Sequence, residues 1–503
     1  MMLTESYCEE IDGVLECYDR INIKCVAGQW GYPGGMENFF KIINRRYFDF
    51  VKVFEPVTNA INENAERIAA ENGLEIEFIR SPNKFGRKED KIDELLETRG
   101  NHDGIVKIYS QMETIDSYRA WTDPVSKKTT FKYDSRKCKV YYFYIIDRVL
   151  GLCFVKVPTA APFICTVYFN GHNWLEKKLQ KDGIGYEKTE NAFTSIDNYE
   201  RAQEICDSLR VEKIKETLDI LVNRYCPLPP EWNVNFFYTI SQCEFAMDIV
   251  FKKQDTLKPL YDNIVKTAMH TVTPDNIATF LGKRLTVKFE GEMGSRYNER
   301  VLGTRIKHHM GALSVKIYDK FGKVLRIEVT TTNVSQINTF RDVFKKNGEV
   351  EAKCAPAKKD IFSLFTLIKT FKGIIRRYLE FISSFDDPSD GIRKLDSVTA
   401  TKQIDGKNVK GINFFDSTDQ KILLNVGDPN NVLNGFSCKN LKSAFPEYKS
   451  WKISNILARL RNLGLIVKRP KTYKYYFTQL GKQVLVASEL LKNCILTPSL
   501  VRG

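Results

Sequence analysis

Residues 104–170 hold three runs, GIVKIYSQM, KVYYFYIIDRVLGLCFVKVPT and FICTVYFNG, so rich in β-branched and aromatic residues that they specify a sheet. A second strand-forming block follows. VNFFYTISQCEFAMDIVFKK reads as one long strand or a hairpin, RLTVKFEGE as a strand, and residues 303–333 as a hairpin. Between and around these blocks the apolar period changes to three and four. It predicts one or two helices ending at Gly73, three helices between 172 and 226, and a helix of about seven turns over 358–385. The predicted class is therefore α+β: a central mixed or antiparallel sheet with flanking helices.

A chain of 503 residues needs more than one core. The pattern divides into an N-terminal α/β region (1–103), a strand-rich half of a central domain (104–230) and a second half with a helical extension (231–385). The polar, Gly- and Asp-rich 386–411 reads as a linker, and 412–503 as a separate unit. Hydrophobic content of 43% excludes wholesale disorder. The net charge of +14 and pI near 9.0 favour a polyanionic partner, with nucleic acid the default expectation. No apolar run approaches a membrane span, and the acidic N-terminus has no signal-peptide core. Twelve scattered cysteines without a C-x-x-C pair point to reduced thiols in the cytoplasm and argue against zinc.

The last hundred residues carry a clear order: two short helices, the helix SWKISNILARLRNLG closed by Gly464, then LIVKRPKTYKYYFT as two strands around a basic turn. That order is a winged helix-turn-helix, and TYKYYFTQLGK resembles the wing and following helix of MarR-like regulators. Residues 431–482 hold eleven Lys/Arg against one acid, Glu447. Lys452 and Asn455 lie near the start of the third helix, the end that enters a major groove. Arg459, Arg461, Lys468, Arg469, Lys471 and Lys474 suit phosphates. In the strand-rich half, Lys132, Arg136 and Lys137 interleave with tyrosines, and Trp174 follows in GHNWLEKK. Such mixtures suit single-stranded nucleic acid.

The window 303–333 is the densest in reactive groups. On a strand, Lys316 and Tyr318 share one face, with Val315 and Ile317 on the other. In VLRIEVT, Arg326 and Glu328 share a face with Leu325, Ile327 and Val329 behind. CEFAMDIVF puts Glu244 and Asp248 on one side of a strand. Beside Glu328 they would form a hard-oxygen site for a divalent metal. Adjacent His308 and His309 point to opposite faces, so only one, His309, is a candidate ligand. An ordinary polar sheet face would show the same alternation.

Two acids four apart, then G-x-R, S-x-K-I-Y-D-K and L-R-I-E, form an order that resembles replication initiators of rolling-circle plasmids and filamentous phages, the Rep-trans type, over about residues 235–335. Here position 244 is Glu where that family has Asp, and the arginine that opens its motif strand is absent. The resemblance implies a tyrosine that nicks one DNA strand and stays bound to the 5′ phosphate, assisted by Mg or Mn. Carried over, Tyr318 is the nucleophile, and Lys320 steadies the phosphate or assists the proton. Lys316 and Arg326 lower the cost of the phenolate. Glu244, Asp248 and Glu328 hold the metal, and Arg305 and Arg326 clamp phosphate. The whole chain also resembles bacterial proteins labelled MarR-type regulators. Two alternatives stay open: a non-catalytic binder of structured RNA or DNA, and a transcription regulator.

Overall fold

The computed structural model describes residues 2–497 apart from 284–290, 301–302, 346, 385–388, 405, 429–430, 432–434, 471 and 493–496. The expected strand RLTVKFEGE lies largely outside the described residues. The chain is α+β, and it divides into two compact units, Met1–Asp386 and Asp387–Gly503.

In the first unit the elements run β1 (Ile11–Ala27), α1 (Pro33–Ile42), α2 (Phe50–Glu71), β2 (Ile76–Ile79), α3 (Lys88–Arg99), β3 (Gly104–Thr122), β4 (Thr129–Asp147), β5 (Gly151–Pro158) and β6 (Cys165–Asn170). Next come α4 (Gly171–Asp182), the hairpin β7 (Tyr186–Thr189) and β8 (Ala192–Ile196), α5 (Tyr199–Asp207) and α6 (Val211–Tyr225). The chain then forms β9 (Phe236–Phe251), α7 (Gln254–Thr271), α8 (Pro274–Phe280), β10 (Met293–Arg300), β11 (Gly303–Met310), β12 (Leu313–Lys320), β13 (Val324–Thr331), the hairpin β14 (Asn338–Phe344) and β15 (Val350–Pro356), and α9 (Ser363–Ser383).

Eleven of these strands form one sheet in the order β10-β11-β12-β13-β9-β1-β6-β5-β4-β3-β2. Every pairing is antiparallel except β2 with β3. The order contains a duplication. In each half a long strand is followed by helices and then a four-strand meander, whose last strand returns to pair with the first: β1 with β6, and β9 with β13. The two long strands pair with each other at the centre, antiparallel, so the halves are related by an approximate two-fold axis.

One sheet face carries the main core. Val315, Ile317, Ile327, Val329, Val155, Val167, Ile21 and Ile23 pack there with helix residues such as Phe54, Leu218, Ile264 and Phe371. Burial on this scale is the main stabilising term of the fold. The sequence-based split at 103 and at 230 does not survive, because β1 from the N-terminal region joins β9 from the third. The opening strand also begins nine residues before the expected start at Arg20, which takes in Asp19.

The second unit contains α10 (Ser389–Thr399), the short hairpin β16 (Lys402–Ile404) and β17 (Lys407–Val409), α11 (Ser417–Val426), α12 (Cys438–Ala444), α13 (Ser450–Asn462), the strand pair β18 (Ile466–Lys468) and β19 (Tyr475–Phe477), and α14 (Gln479–Leu490). It has its own core, including Val398, Ile412, Leu423, Phe436, Ile453 and Leu460. The expected linker 386–411 is thus corrected. It supplies a helix and a hairpin, and its Val398 seals this second core. No helix among the described residues is long and apolar enough to cross a membrane.

Candidate functional site: a buried acidic triad beside Tyr318

Across the sheet face opposite the main core, register places side chains in rows. Ala246, Glu328, Lys316 and Lys307 form one row from β9 to β11, and Glu244, Thr330, Ser314 and His309 form the next. Asp248, Arg326 and Tyr318 make the third. An ordinary polar sheet face would be exposed here. This one is buried instead over β13, where Arg326 is 0% and Glu328 3% exposed. The cover is α4 and the β7–β8 hairpin, which pack on β1 around Leu15, Trp174, Leu175 and Phe193.

Three carboxylates meet there. One oxygen each from Asp19, Glu244 and Glu328 lie within 4.8 Å of one another, all buried, and together they could hold a metal ion. The donors are all hard oxygens, and that spacing fits ligand atoms each about 2.0–2.6 Å from one ion. Tyr318 Oη donates to Glu328 Oε2 at 2.7 Å. Lys316 Nζ donates to Glu328 Oε1 and, at 3.4 Å, to Glu244 Oε1. Thr330 Oγ1 donates to either glutamate, at 3.2 Å to Glu244 Oε1 or 3.1 Å to Glu328 Oε1. Arg20 Nε lies 3.7 Å from Glu244 Oε2.

Beneath the triad is a second charged layer. Arg326 donates through Nε and Nη2 to both oxygens of Asp248, each at 2.5 Å, and through Nη2 to the Asn191 carbonyl at 2.7 Å. Its Nη1 lies 3.6 Å from Asp19. His172 sits between Asp19 and Asp248 at 3.4 and 3.3 Å. It reaches them because Gly171 lets the start of α4 close on β1: a Cβ at Gly171 would stand 2.0 Å from the Tyr18 carbonyl oxygen. A register shift in β1 between Tyr18 and Ile21 accompanies the turn of Asp19 and Arg20 onto this face. The β7–β8 turn closes the site. Asn191 Nδ2 donates to Asp19 at 2.9 Å, and Lys320 donates to the Asn191 side-chain oxygen.

The electrostatics follow from these contacts. Burial would push the Asp19 carboxyl up, but Arg326, then His172 and Arg20, hold it well below the usual carboxylate range. Asp248 is brought down to about 2 against its burial, by Arg326 and then His172. Glu244 is raised by burial and by the charge of Glu328. Glu328 is held low against burial by Lys316. Burial, then the Glu328 charge, pushes the Tyr318 phenol far up. Lys320 comes down to about 8 through burial and the charge of Arg326.

No protein-family model, curated protein or solved structure matches the chain significantly. The site's own geometry therefore carries the functional argument.

Several expected residues meet, and others do not. Tyr318, Lys316, Lys320, Arg326, Glu244 and Glu328 converge, as their strand alternation implied. Asp248 is corrected as a metal ligand: Arg326 grips both its oxygens, and Asp19 stands in its place in the triad. Arg326 is likewise corrected as a phosphate clamp, because its guanidinium is sealed among Asp248, Asp19 and Asn191. His309 does face the site side, but it pairs with Ser314 on the far side of β12 and β13 from Glu244, outside the triad. His308 faces the core against Phe280 and Tyr378. Trp174 is 6% exposed in the packing beneath α4, so it is core and offers no stacking surface.

Lys132 and Lys137 are exposed on β4, Lys132 over the Trp121 ring at 3.1 Å, and Arg136 is half-buried. Arg305 is half-buried on β11, one position beyond the Ile306–Ile317 pair and so beside Tyr318. In the second unit, Lys452, Asn455, Arg461, Lys468, Arg469 and Lys474 are exposed, and Lys471 lies outside the described residues. Arg459 is corrected: it grips Asp419 at 2.7 and 2.8 Å and the Lys410 carbonyl at 2.8 Å, so it braces that unit and is not presented to phosphate.

Asp19, His172 and Asn191 have no local signal as site residues. They come from β1, α4 and a hairpin turn, with Asp19 more than a hundred residues from the other two. The best available hint was the GHN that follows a strand end.

The depressed Asp248 sets a pH dependence. A carboxylate whose folded pKa lies near 2, below its unfolded 3.8, contributes stability that is present above the unfolded value and lost as pH falls through the folded one. Asp248→Asn is expected to flatten the stability–pH slope of the first unit between about pH 4 and about pH 2. The change is up to roughly 1.4 kcal/mol per pH unit, read by urea unfolding at stepped pH. An unaltered slope would show that Asp248 is not the titrating group.

Proposed function

We propose that the protein is a nucleic-acid-processing enzyme of replication-initiator or mobile-element type, which cuts one DNA strand with Tyr318 and a divalent ion, Mg or Mn. The observation that carries this reading is the 2.7 Å hydrogen bond from the Tyr318 hydroxyl to Glu328, itself a member of the acidic triad. A phenol with a raised pKa is a poor nucleophile unless its proton has an acceptor and its charge a cation nearby. Glu328 supplies the first. Lys316, and an ion held by Asp19, Glu244 and Glu328, supply the second.

The step balances simply. The Tyr318 oxygen bonds to phosphorus, its proton passes to Glu328, and the bond from phosphorus to the leaving strand oxygen breaks. Lys320, two residues along the same strand face and poised near pH 8, protonates that oxygen. Asp19, Glu244 and Glu328 would hold the ion, which when bound would polarise the phosphate. The neighbouring cations support a polyanionic substrate. Arg296, Arg305, Lys307 and Lys316 crowd this side of β10 to β12, and burial followed by Lys316, Arg296 and Arg305 lowers the Lys307 pKa. Arg305 Nε and His309 Nδ1 are buried there without a hydrogen-bond partner among the described residues. The second unit, read as a winged helix-turn-helix, would find the site through α13 and the basic turn between β18 and β19.

A second reading, a non-catalytic binder, draws on one observation. Lys316 bonds to Glu328 and Glu244, and Arg326 approaches Asp19, so each acid of the triad already has a cationic partner. One experiment separates the two. The full chain is incubated with end-labelled single-stranded and hairpin DNA and Mn²⁺, and covalent adducts are resolved under denaturing conditions. The expected result is an adduct that needs Mn²⁺ and disappears in Tyr318→Phe. Tight binding with no adduct and no cutting would sink the enzymatic reading.

A further inference from the structure

We infer that the cavity beside the acidic triad receives one unstacked nucleobase of the bound strand, with Phe154 and Tyr168 as its stacking floor and the acids of α3 reading its edge. This rests on the nucleic-acid reading above and names a subsite within it. The cavity encloses about 670 Å³ between the sheet, α3 and the β7–β8 turn.

Its floor is built by strand register. Phe154 on β5 lies opposite Tyr168 on β6, and their rings stack at 5.0 Å and 16°. Tyr144 on β4, itself buried, supports Phe154 from the other side at 5.3 Å. Alternation turns Cys153 and Val155 into the main core and leaves Phe154 half-buried on the site side. The cavity is continuous with the triad. Arg20, 47% exposed in its side chain, lines the cavity and also approaches Glu244. Asn170 and Asn191 line it too, and both hold Asp19 Oδ1, at 2.7 and 2.9 Å. A strand whose phosphate met the triad would therefore bring a neighbouring base to this mouth.

The opposite wall has an acidic balance: Asp90, Asp93 and Glu97 from α3 and Glu190 from the turn outnumber the cations Arg87, which pairs with Asp90, and Lys188. Burial, then Asp90 and Glu190, raises the Asp93 carboxyl. Such a wall repels a phosphate, so the occupant is not backbone. It accepts hydrogen bonds from exocyclic amino groups, as carboxylates do from cytosine N4. An aromatic floor with a carboxylate wall thus selects a base bearing an amino group: cytosine, adenine or guanine over thymine.

The test uses the full chain and single-stranded oligonucleotides in which one base at a time is removed, with binding followed by fluorescence anisotropy. One position, or two adjacent ones, should weaken binding about 5- to 100-fold when abasic, the range for one stacked base, while the rest stay near neutral. At that position thymine should bind more weakly than cytosine, and Asp93→Asn should reduce this difference. Phe154→Ala should bind intact and abasic strands alike, whereas Tyr168→Phe, which keeps the ring, should retain the profile. A flat abasic profile with binding intact overturns the base subsite and leaves the broader reading standing. That measurement needs only the unaltered protein, so it does not depend on any variant folding. Failure to bind any oligonucleotide overturns both.

Discussion

Replacing Arg326 by methionine is expected to destabilise the first unit by about 3–5 kcal/mol, the cost of breaking a buried ion pair and leaving its partner charged and alone. The side chain is fully buried, and it is the cation on which both Asp248 and Asp19 depend. Methionine fills much of the volume but supplies none of the hydrogen bonds. Lysine would not rescue the site, because a point charge cannot serve both oxygens of Asp248 and the Asn191 carbonyl together. Urea unfolding followed by probes of the sheet measures the effect. The double variant Arg326→Met, Asp248→Leu should recover a large part of the loss, since it removes the stranded carboxylate along with the cation. If Arg326→Met unfolds at the same urea concentration as the parent, the pair does not hold the two halves of the site together.

The largest effect on chemistry is expected from Glu328→Gln. That carboxylate accepts the Tyr318 proton and also belongs to the triad. An amide cannot take the proton, so adduct formation at saturating Mn²⁺ should fall on the order of 10²–10⁴-fold, the usual worth of a general base. Glu244→Gln gives the contrast. Glu244 shares the triad, Lys316 and Thr330 with Glu328 but makes no hydrogen bond to the phenol, so its loss should weaken metal binding while the rate at saturating metal stays much closer to that of the parent. Equal losses in the two variants at saturating metal would mean that Glu328 acts only as a ligand. Isothermal titration with Mn²⁺ beside the adduct assay separates these outcomes.

Strand alternation alone was enough to bring Lys316, Tyr318, Arg326 and Glu328 to one face, with Ile317, Ile327 and Val329 behind. A period of two is a local property that no packing partner can change. It also separated His308 from His309. The class, the two strand-rich blocks and the separate C-terminal core were legible for the same reason: apolar spacing reports which side of an element is buried. Free thiols packed as small hydrophobes were legible too, and most of the described cysteines are buried.

What alternation could not supply was the depth of burial on the polar side, or which acid stands beside which. A strand reading "LRIEV" looks the same under water and under a covering helix. Only the closure of α4 on β1 at Gly171, together with the β7–β8 turn over Arg326, turned a wet-looking face into a charged site that is covered on one side and open to the cavity at Arg20. Asp19 entered the triad because β1 runs nine residues further than its apolar pattern suggested and pairs with β9, more than two hundred residues away. Asp248 left it because a guanidinium within reach outcompetes a more distant shared site. The residue types and their faces were thus set by the sequence. The triad Asp19, Glu244 and Glu328 was decided by long-range strand pairing, which leaves no trace in local spacing.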